Sequence, residues 1–263
     1  MKVIELLGPS GVGKTFLYSR LVDKGIPNRP FLTANEAHIN AALNNRFKGI
    51  LNRNVLYKAL LKVPAFKDKR YGVSVKMLNS LEKDFVYQYK FSLSVLSEYL
   101  VKVEDRSLAH KRIRAFQKRA DNVCLLNNIL GQDEVVVLDE GPLHHHHGLT
   151  PELLTKYPPD EWKNDTILNP AAVISCELEP DEVFARALQR RRGGINTFSH
   201  RSLTETELRE YVIRNVEEYK LKIDFLEGIG VPVLRINTGG AIWGNVKDVR
   251  EFIASIPLNV NRK

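Results

Sequence analysis

Residues Gly8–Thr15 read GPSGVGKT, between the apolar run VIELL (Val3–Leu7) and the helix-like run FLYSRLVDKG ending at Gly25. This matches the pattern G-x-x-x-x-G-K-[ST] in full, in the strand, turn and helix context that the pattern requires. Glycines at 8, 11 and 13 let the backbone turn tightly and approach phosphate oxygens. Main-chain amides from Gly11 to Thr15 then point inward at a helix N-terminus, a ready anion site. The expected nucleotide-binding set is Gly8, Ser10, Gly11, Val12, Gly13, Lys14 and Thr15, with ATP as phosphoryl donor. Lys14 is placed for the β- and γ-phosphates and the Thr15 hydroxyl for Mg²⁺.

Outward from this loop, short apolar runs recur at Val135–Leu138 (VVVL), Ala171–Cys176 (AAVISC) and Val231–Ile236 (VPVLRI), with PFLTA (Pro30–Ala34) as a weaker strand candidate. Segments of helical periodicity separate them. Such alternation predicts an α/β fold: a parallel sheet of about five strands with helices on both faces. Between Glu36 and Leu130 the pattern is helical. A stretch around residues 41–63 stops before Pro64, and two long helices turn near Glu104–Ser107. Residues 40–130 read as a helical insertion packed on the sheet within a single domain spanning 1–263, because the Val135 strand must return to the core that Val3 starts.

The chain has 263 residues, 43% hydrophobic, and a formal net charge of +8. That composition is enough to build a real core. Residues 40–130 carry 18 Lys and Arg against 7 Asp and Glu, an excess of +11 that exceeds the whole chain's. The excess reads either as a solvated helical surface or as a funnel toward an anionic substrate or nucleic acid. The first strand begins two residues after Met1 and no apolar run reaches 18 residues, so a cytoplasmic protein with neither signal nor membrane span is expected. Cys124 and Cys176 have neither zinc-ligand nor redox spacing and read as reduced core residues.

A magnesium site needs a carboxylate at the tip of a neighbouring strand, and EVVVLDEG supplies Asp139 where four apolar residues stop. Asp139 would act through a water bound to the cation. Glu140 beside it reads as a catalytic base, as an acceptor of substrate hydrogen bonds, or as the partner of the following loop. Downstream, a helix from Pro180 to Gly193–Gly194 brings Arg186, Arg190, Arg191 and Arg192 together, and Arg201 follows. Guanidinium groups on a closing segment can stabilise a transferring phosphoryl group, so residues 186–204 are expected to form a lid, with Arg190 and Arg192 as its catalytic candidates.

This order of strand, phosphate loop, helical region, acid-ended strand, arginine-rich lid and final strand resembles the nucleoside and nucleotide kinases of the P-loop group, thymidylate and deoxynucleoside kinases especially. The likeness spans most of the chain in architecture, and in motifs Gly8–Thr15, Val135–Gly141 and Phe184–Arg201. It implies an acceptor-directed arginine about twenty residues before the strand-end acid, which Arg119 matches, and a carboxylate after the second strand, for which Glu36 is the candidate. Glu36 reads equally as a helix start. These kinases commonly follow the acid with Arg, whereas this chain reads Asp139-Glu140-Gly141-Pro142. An anion there disfavours an acceptor phosphate and fits a neutral hydroxyl, with Glu140 or Glu36 taking its proton.

The internal run PLHHHHGL (Pro142–Leu149) could ligate a metal or border the acceptor pocket. Read as extended, it sends neighbouring imidazoles in opposite directions, which keeps all four off one ion. The aromatic residues of Asp84–Leu100 fall at core spacing. The expected function is Mg²⁺-dependent transfer of the ATP γ-phosphoryl group to a nucleoside, nucleotide or sugar-like acceptor. The alternative is a nucleotide-hydrolysing switch in which Asp139-Glu140 activates water and the basic segment meets a macromolecule such as nucleic acid. Oligomeric state is not legible.

Overall fold

The computed structural model describes residues 1–23, 30–44, 74, 85–131, 133–194 and 203–257. The helix expected around residues 41–63, Gly25 and Arg201 lie wholly or mostly outside them.

Strands β1 (Lys2–Leu7), β2 (Leu32–Thr33), β3 (Val135–Leu138), β4 (Ala172–Glu177) and β5 (Val233–Asn237) form one parallel sheet in the order β2-β3-β1-β4-β5. β1 lies in the middle, with Glu5 level with Leu138 of β3 and Leu7 level with Ser175 of β4. The chain crosses from one side of β1 to the other between β3 and β4, and ligands of open α/β sheets bind beyond the strand ends at such a reversal.

Helices cover both faces, which is why the strands read as unbroken apolar runs. Alternate residues serve different cores. Ile4, Leu6, Val135, Val137 and Ile174 pack on one side, whereas Leu7, Val136, Leu138 and Val173 pack on the other. All four residues of β3 are buried, and each such side chain contributes about 1.5–3 kcal/mol. Glu5, on the same face as Leu7, is also buried, at 1% exposure.

The helices are α1 (Lys14–Leu21), α2 (Ala34–Asn44), α3 (Lys90–Val101), α4 (Arg106–Ile129), α5 (Pro142–His145), α6 (Leu153–Lys156), α7 (Pro159–Trp162), α8 (Pro180–Arg192), α9 (Glu205–Gly228) and α10 (Ile242–Ser255). α3 and α4 turn where expected, and Asp105 caps α4 by accepting from Leu108 N at 3.0 Å. Their contact faces bury Leu96, Phe116, Ala120 and Leu126 against the sheet. The aromatic run divides. Tyr89 and Phe91 enter the core, but Val86–Tyr89 is a 3-10 turn that leaves Tyr87 71% exposed. The histidine segment is extended only in part: Pro142 opens the short helix α5, its fixed φ suiting a first helical position, and the helix takes in His144 and His145, whereas His146 has extended dihedrals.

Candidate active site

The loop between β1 and α1 takes left-handed or otherwise glycine-only conformations at Gly8, Gly11 and Gly13, with φ of 144°, 99° and 112°. A Cβ at Gly8 would stand 2.5 Å from the Cys176 carbonyl oxygen, so β4 also enforces that glycine. Lys14 is buried and donates to the carbonyls of Gly8 at 2.6 Å and Pro9 at 3.2 Å. Burial lowers its pKa, while the nearby Cys176, Asp139 and Glu140 work against that shift. Outside the loop, Arg186 of α8 donates to Val12 O at 2.9 Å and Thr238 O at 3.3 Å, and the Thr238 hydroxyl donates to Val12 O at 2.5 Å. The loop between β1 and α1 is thus tied to α8 and to the end of β5.

Because β3 is the parallel neighbour of β1, its tip falls beside this loop. The Thr15 hydroxyl lies near enough to the Asp139 carboxyl to help lower its pKa. Asp139 Oδ1 is buried with no hydrogen-bond partner. The motif and the acid meet.

Burial, then Glu140, raises the Asp139 pKa, and Lys14 and Thr15 pull it back. A buried, unsatisfied carboxylate oxygen normally costs about 1–3 kcal/mol, and here it points to a missing cationic partner. A hydroxyl and a carboxylate are hard oxygen donors of the kind Mg²⁺ takes, beside phosphate oxygens and water. The residues fit that ion. Among the described residues no group of three or more His, Cys, Asp or Glu side chains is arranged to hold a metal by itself, as expected of an ion that also relies on nucleotide oxygens.

Beside the loop lies a cavity of about 500 Å³ lined by Gly11, Gly13, Phe16, Arg190, Thr238 and Asn245, among others. Its size suits a small ligand. Arg190, which lines this cavity, is near enough to Lys14 to disfavour its charge. Arg192, the other lid candidate, is exposed at the helix end and is not brought to this cavity. Helix α8 packs on α9 through its own small core of Val183, Ala187, Leu208 and Val212.

On the other side of the strand tip, Arg119 of α4 donates through Nε to the Glu140 carbonyl at 3.0 Å, and its Nη2 lies 3.8 Å from the Glu140 carboxylate. Glu36 occupies the third position of α2. Its Oε2 accepts from Thr33 N at 2.8 Å and from the Thr33 hydroxyl at 2.9 Å, while Thr33 Oγ1 accepts from Glu36 N at 3.2 Å. That is a reciprocal cap of the helix start.

No protein-family model matches the sequence, and no curated protein matches it. Two solved structures of a deoxyadenosine kinase from M. mycoides are similar to this chain. One, with dCMP and a flexible dCDP bound, has 14% identity and a TM-score of 0.46; the other, with dATP, has 12% identity and a TM-score of 0.47. Each likeness covers 97% of this chain and 100% of the kinase chain. At that similarity neither bears on the chemistry here, which this chain's own residues have to carry.

Three residues around the strand tip, Glu5, Tyr219 and Lys222, escaped the sequence reading. The Glu5 carboxylate accepts from Leu143 N at 3.2 Å and His144 N at 2.6 Å, and burial raises its pKa to about 7. Lys222 of α9, lowered to about 8 by burial, donates to Leu143 O at 3.0 Å and lies over the Tyr219 ring at 4.3 Å. Tyr219 pairs with His144 Nδ1 at 2.8 Å. The one available signal was a charged residue at a core position: Glu5 within VIELL, and Lys222 beside Ile223 on the helix face of Tyr219 and Leu226. The four histidines have separate surroundings. His146 Nε2 meets the Ser92 carbonyl at 2.8 Å, His147 meets Glu218 at 2.6 Å, and His145 Nε2 is buried without a partner.

Proposed function

We propose that this chain is a Mg²⁺- and ATP-dependent phosphotransferase acting on a small molecule with a neutral hydroxyl acceptor. The observation that carries the reading is the placement of Asp139 at the tip of β3, the parallel neighbour of β1, with a buried carboxylate oxygen that lacks a partner close to Lys14 and Thr15. Thr15 and Asp139 would hold the metal shell, and bound Mg²⁺ would supply charge neutralisation for the phosphate oxygens. Gly8, Ser10, Gly11, Val12 and Gly13 present the loop backbone to the phosphates. Lys14, released from its two loop carbonyls, orients the β- and γ-phosphates. Arg190 adds positive charge from the lid side as the γ-phosphoryl group moves, and Arg192 would reach the site only with further movement of the lid.

Glu140 suits the role of base for the acceptor hydroxyl. Its carboxylate is 49% exposed at the strand tip, and Arg119 holds its main chain. Glu36, whose Oε2 serves the α2 cap, suits the acceptor side as a positioning group. An acceptor phosphate would meet the Glu140 carboxylate, and Arg119 is already engaged with that residue, which favours a nucleoside or sugar-like hydroxyl over a monophosphate. Among the described residues no helix is long and apolar enough to cross a membrane.

Lys14→Ala tests the reading. With nucleosides and sugars screened as acceptors, the variant should fold normally and lose magnesium-dependent product formation by at least about a hundredfold, the scale of losing one preorganised charged donor. Near-normal transfer by the folded variant would remove the assignment.

A further inference from the structure

Glu5 is a carboxylate in the middle of the central strand, 1% exposed, where apolar residues occupy every neighbouring buried position. Strand formation does not need it, and burying a charge there is costly. Its oxygens accept main-chain hydrogen bonds from Leu143 and His144, in the turn that directly follows Asp139 and Glu140. A Cβ on Gly141 would overlap Glu5 Oε2, so the glycine gives the carboxylate room. From the opposite side, Lys222 donates to the Leu143 carbonyl and Tyr219 to the His144 carbonyl at 3.2 Å. Among the described residues, the side chains that hydrogen-bond this turn from a distance therefore come from two elements: the strand that starts the phosphate loop, and the long helix α9.

We propose that Glu5 is a positioning residue: through the Gly141–His144 turn it locks Asp139 and Glu140 in place relative to the phosphate loop, with Lys222 as the buried cation that makes its charge tolerable. This rests on the reading of Asp139 as a metal-shell carboxylate. The strand that carries the loop thereby also sets the position of the acid opposite it, so that loop and acid move as one body.

The test compares wild type, Glu5→Gln, Glu5→Gln/Lys222→Met and Asp139→Asn by titration with a fluorescent ADP analogue, in excess EDTA and in excess Mg²⁺, alongside thermal melting. Gln at position 5 keeps one acceptor oxygen and turns an NH₂ group toward main-chain N–H groups. It should reduce the gain in affinity that Mg²⁺ confers by about tenfold, the scale of losing a charge-assisted hydrogen bond, and leave affinity in EDTA within about twofold. A purely structural role would lower both affinities together. Removing both charges avoids leaving either one buried and unpaired, so the double variant should melt close to wild type and still lack the Mg²⁺ gain. It decides the matter if Glu5→Gln alone does not fold. A Mg²⁺ gain retained in the folded Glu5 variants, but lost in Asp139→Asn, would overturn the positioning role and leave the metal reading standing. A gain unchanged in Asp139→Asn, or missing from wild type, would overturn both.

Discussion

Arg119 and Glu140 are joined twice, by a 3.0 Å hydrogen bond from Nε to the main-chain carbonyl and by a 3.8 Å approach of Nη2 to the carboxylate. The main-chain bond makes Arg119 part of the support of the strand tip as well as a candidate for the acceptor. With the side chains 32% and 49% exposed, the ion pair itself should contribute only about 0.2–1 kcal/mol. Arg119→Ala is therefore expected to melt close to wild type, to bind nucleotide almost unchanged, and to raise the acceptor KM. Steady-state kinetics with donor and acceptor varied separately would check this, and a loss confined to the donor side would move Arg119 out of the acceptor site.

Asp139 sits in an environment that disfavours its charge, through burial and the neighbouring Glu140. Asparagine at this position should melt higher than wild type without ligand, since a site built for a cation is strained when it stands alone. The Mg²⁺-dependent gain in nucleotide affinity should fall by about 10–100-fold, as for loss of a group that orders the metal's shell. Melting curves with and without Mg²⁺ and ADP would show opposite shifts.

Gly141 has no room for a side chain. A Cβ there would also stand 2.9 Å from Leu138 Cδ1, besides overlapping the Glu5 carboxylate. Gly141→Ala should cost about 1–3 kcal/mol, as overpacking does. Denaturant unfolding is the measurement. If Gly141→Ala were as stable as wild type, the tight approach of β1 to the turn would be wrong.

His146 is fully buried, donates through Nε2–H to the Ser92 carbonyl at 2.8 Å, and meets the Phe116 ring edge-on with centroids 5.2 Å apart. Burial lowers its pKa from 6.5 to about 3. The unfolded chain therefore takes up a proton near pH 6.5 that the folded chain refuses. Its contribution to stability is complete above pH 6.5 and drains away as pH falls toward 3, at up to about 1.4 kcal/mol per pH unit. His145, lowered to about 4 mainly by its burial, acts with the same sign. His146→Gln, whose amide reaches the place of Nε2, should flatten the loss of stability between pH 6.5 and 4.5 without abolishing it. Urea midpoints at several pH values would reveal the change in slope.

Much of this fold was legible from short-range pattern. VIELL, VVVL, AAVISC and VPVLRI became strands to within two residues at their ends, and GPSGVGKT became a loop held by three glycines. The turn between α3 and α4 lay at its charged junction, and Asp139 was identified because an apolar run stopped there. The extended reading of the histidine run fails at His144 and His145 because a four-residue helix started by Pro142 and held by a distant carboxylate leaves no periodicity to read.

The chain's local chemistry determined which residues make strands, where the phosphate loop lies, and which acid ends its partner strand, because hydrophobic period and glycine conformation depend only on near neighbours. Only the tertiary structure decided that Arg186 secures the loop from 174 residues away, that Arg190 and not Arg192 faces the cavity, and that Glu5 and Lys222 brace the strand tip. Those roles belong to pairs of groups that the parallel sheet and α9 bring together, and a buried charge is tolerable only once its distant partners are in place.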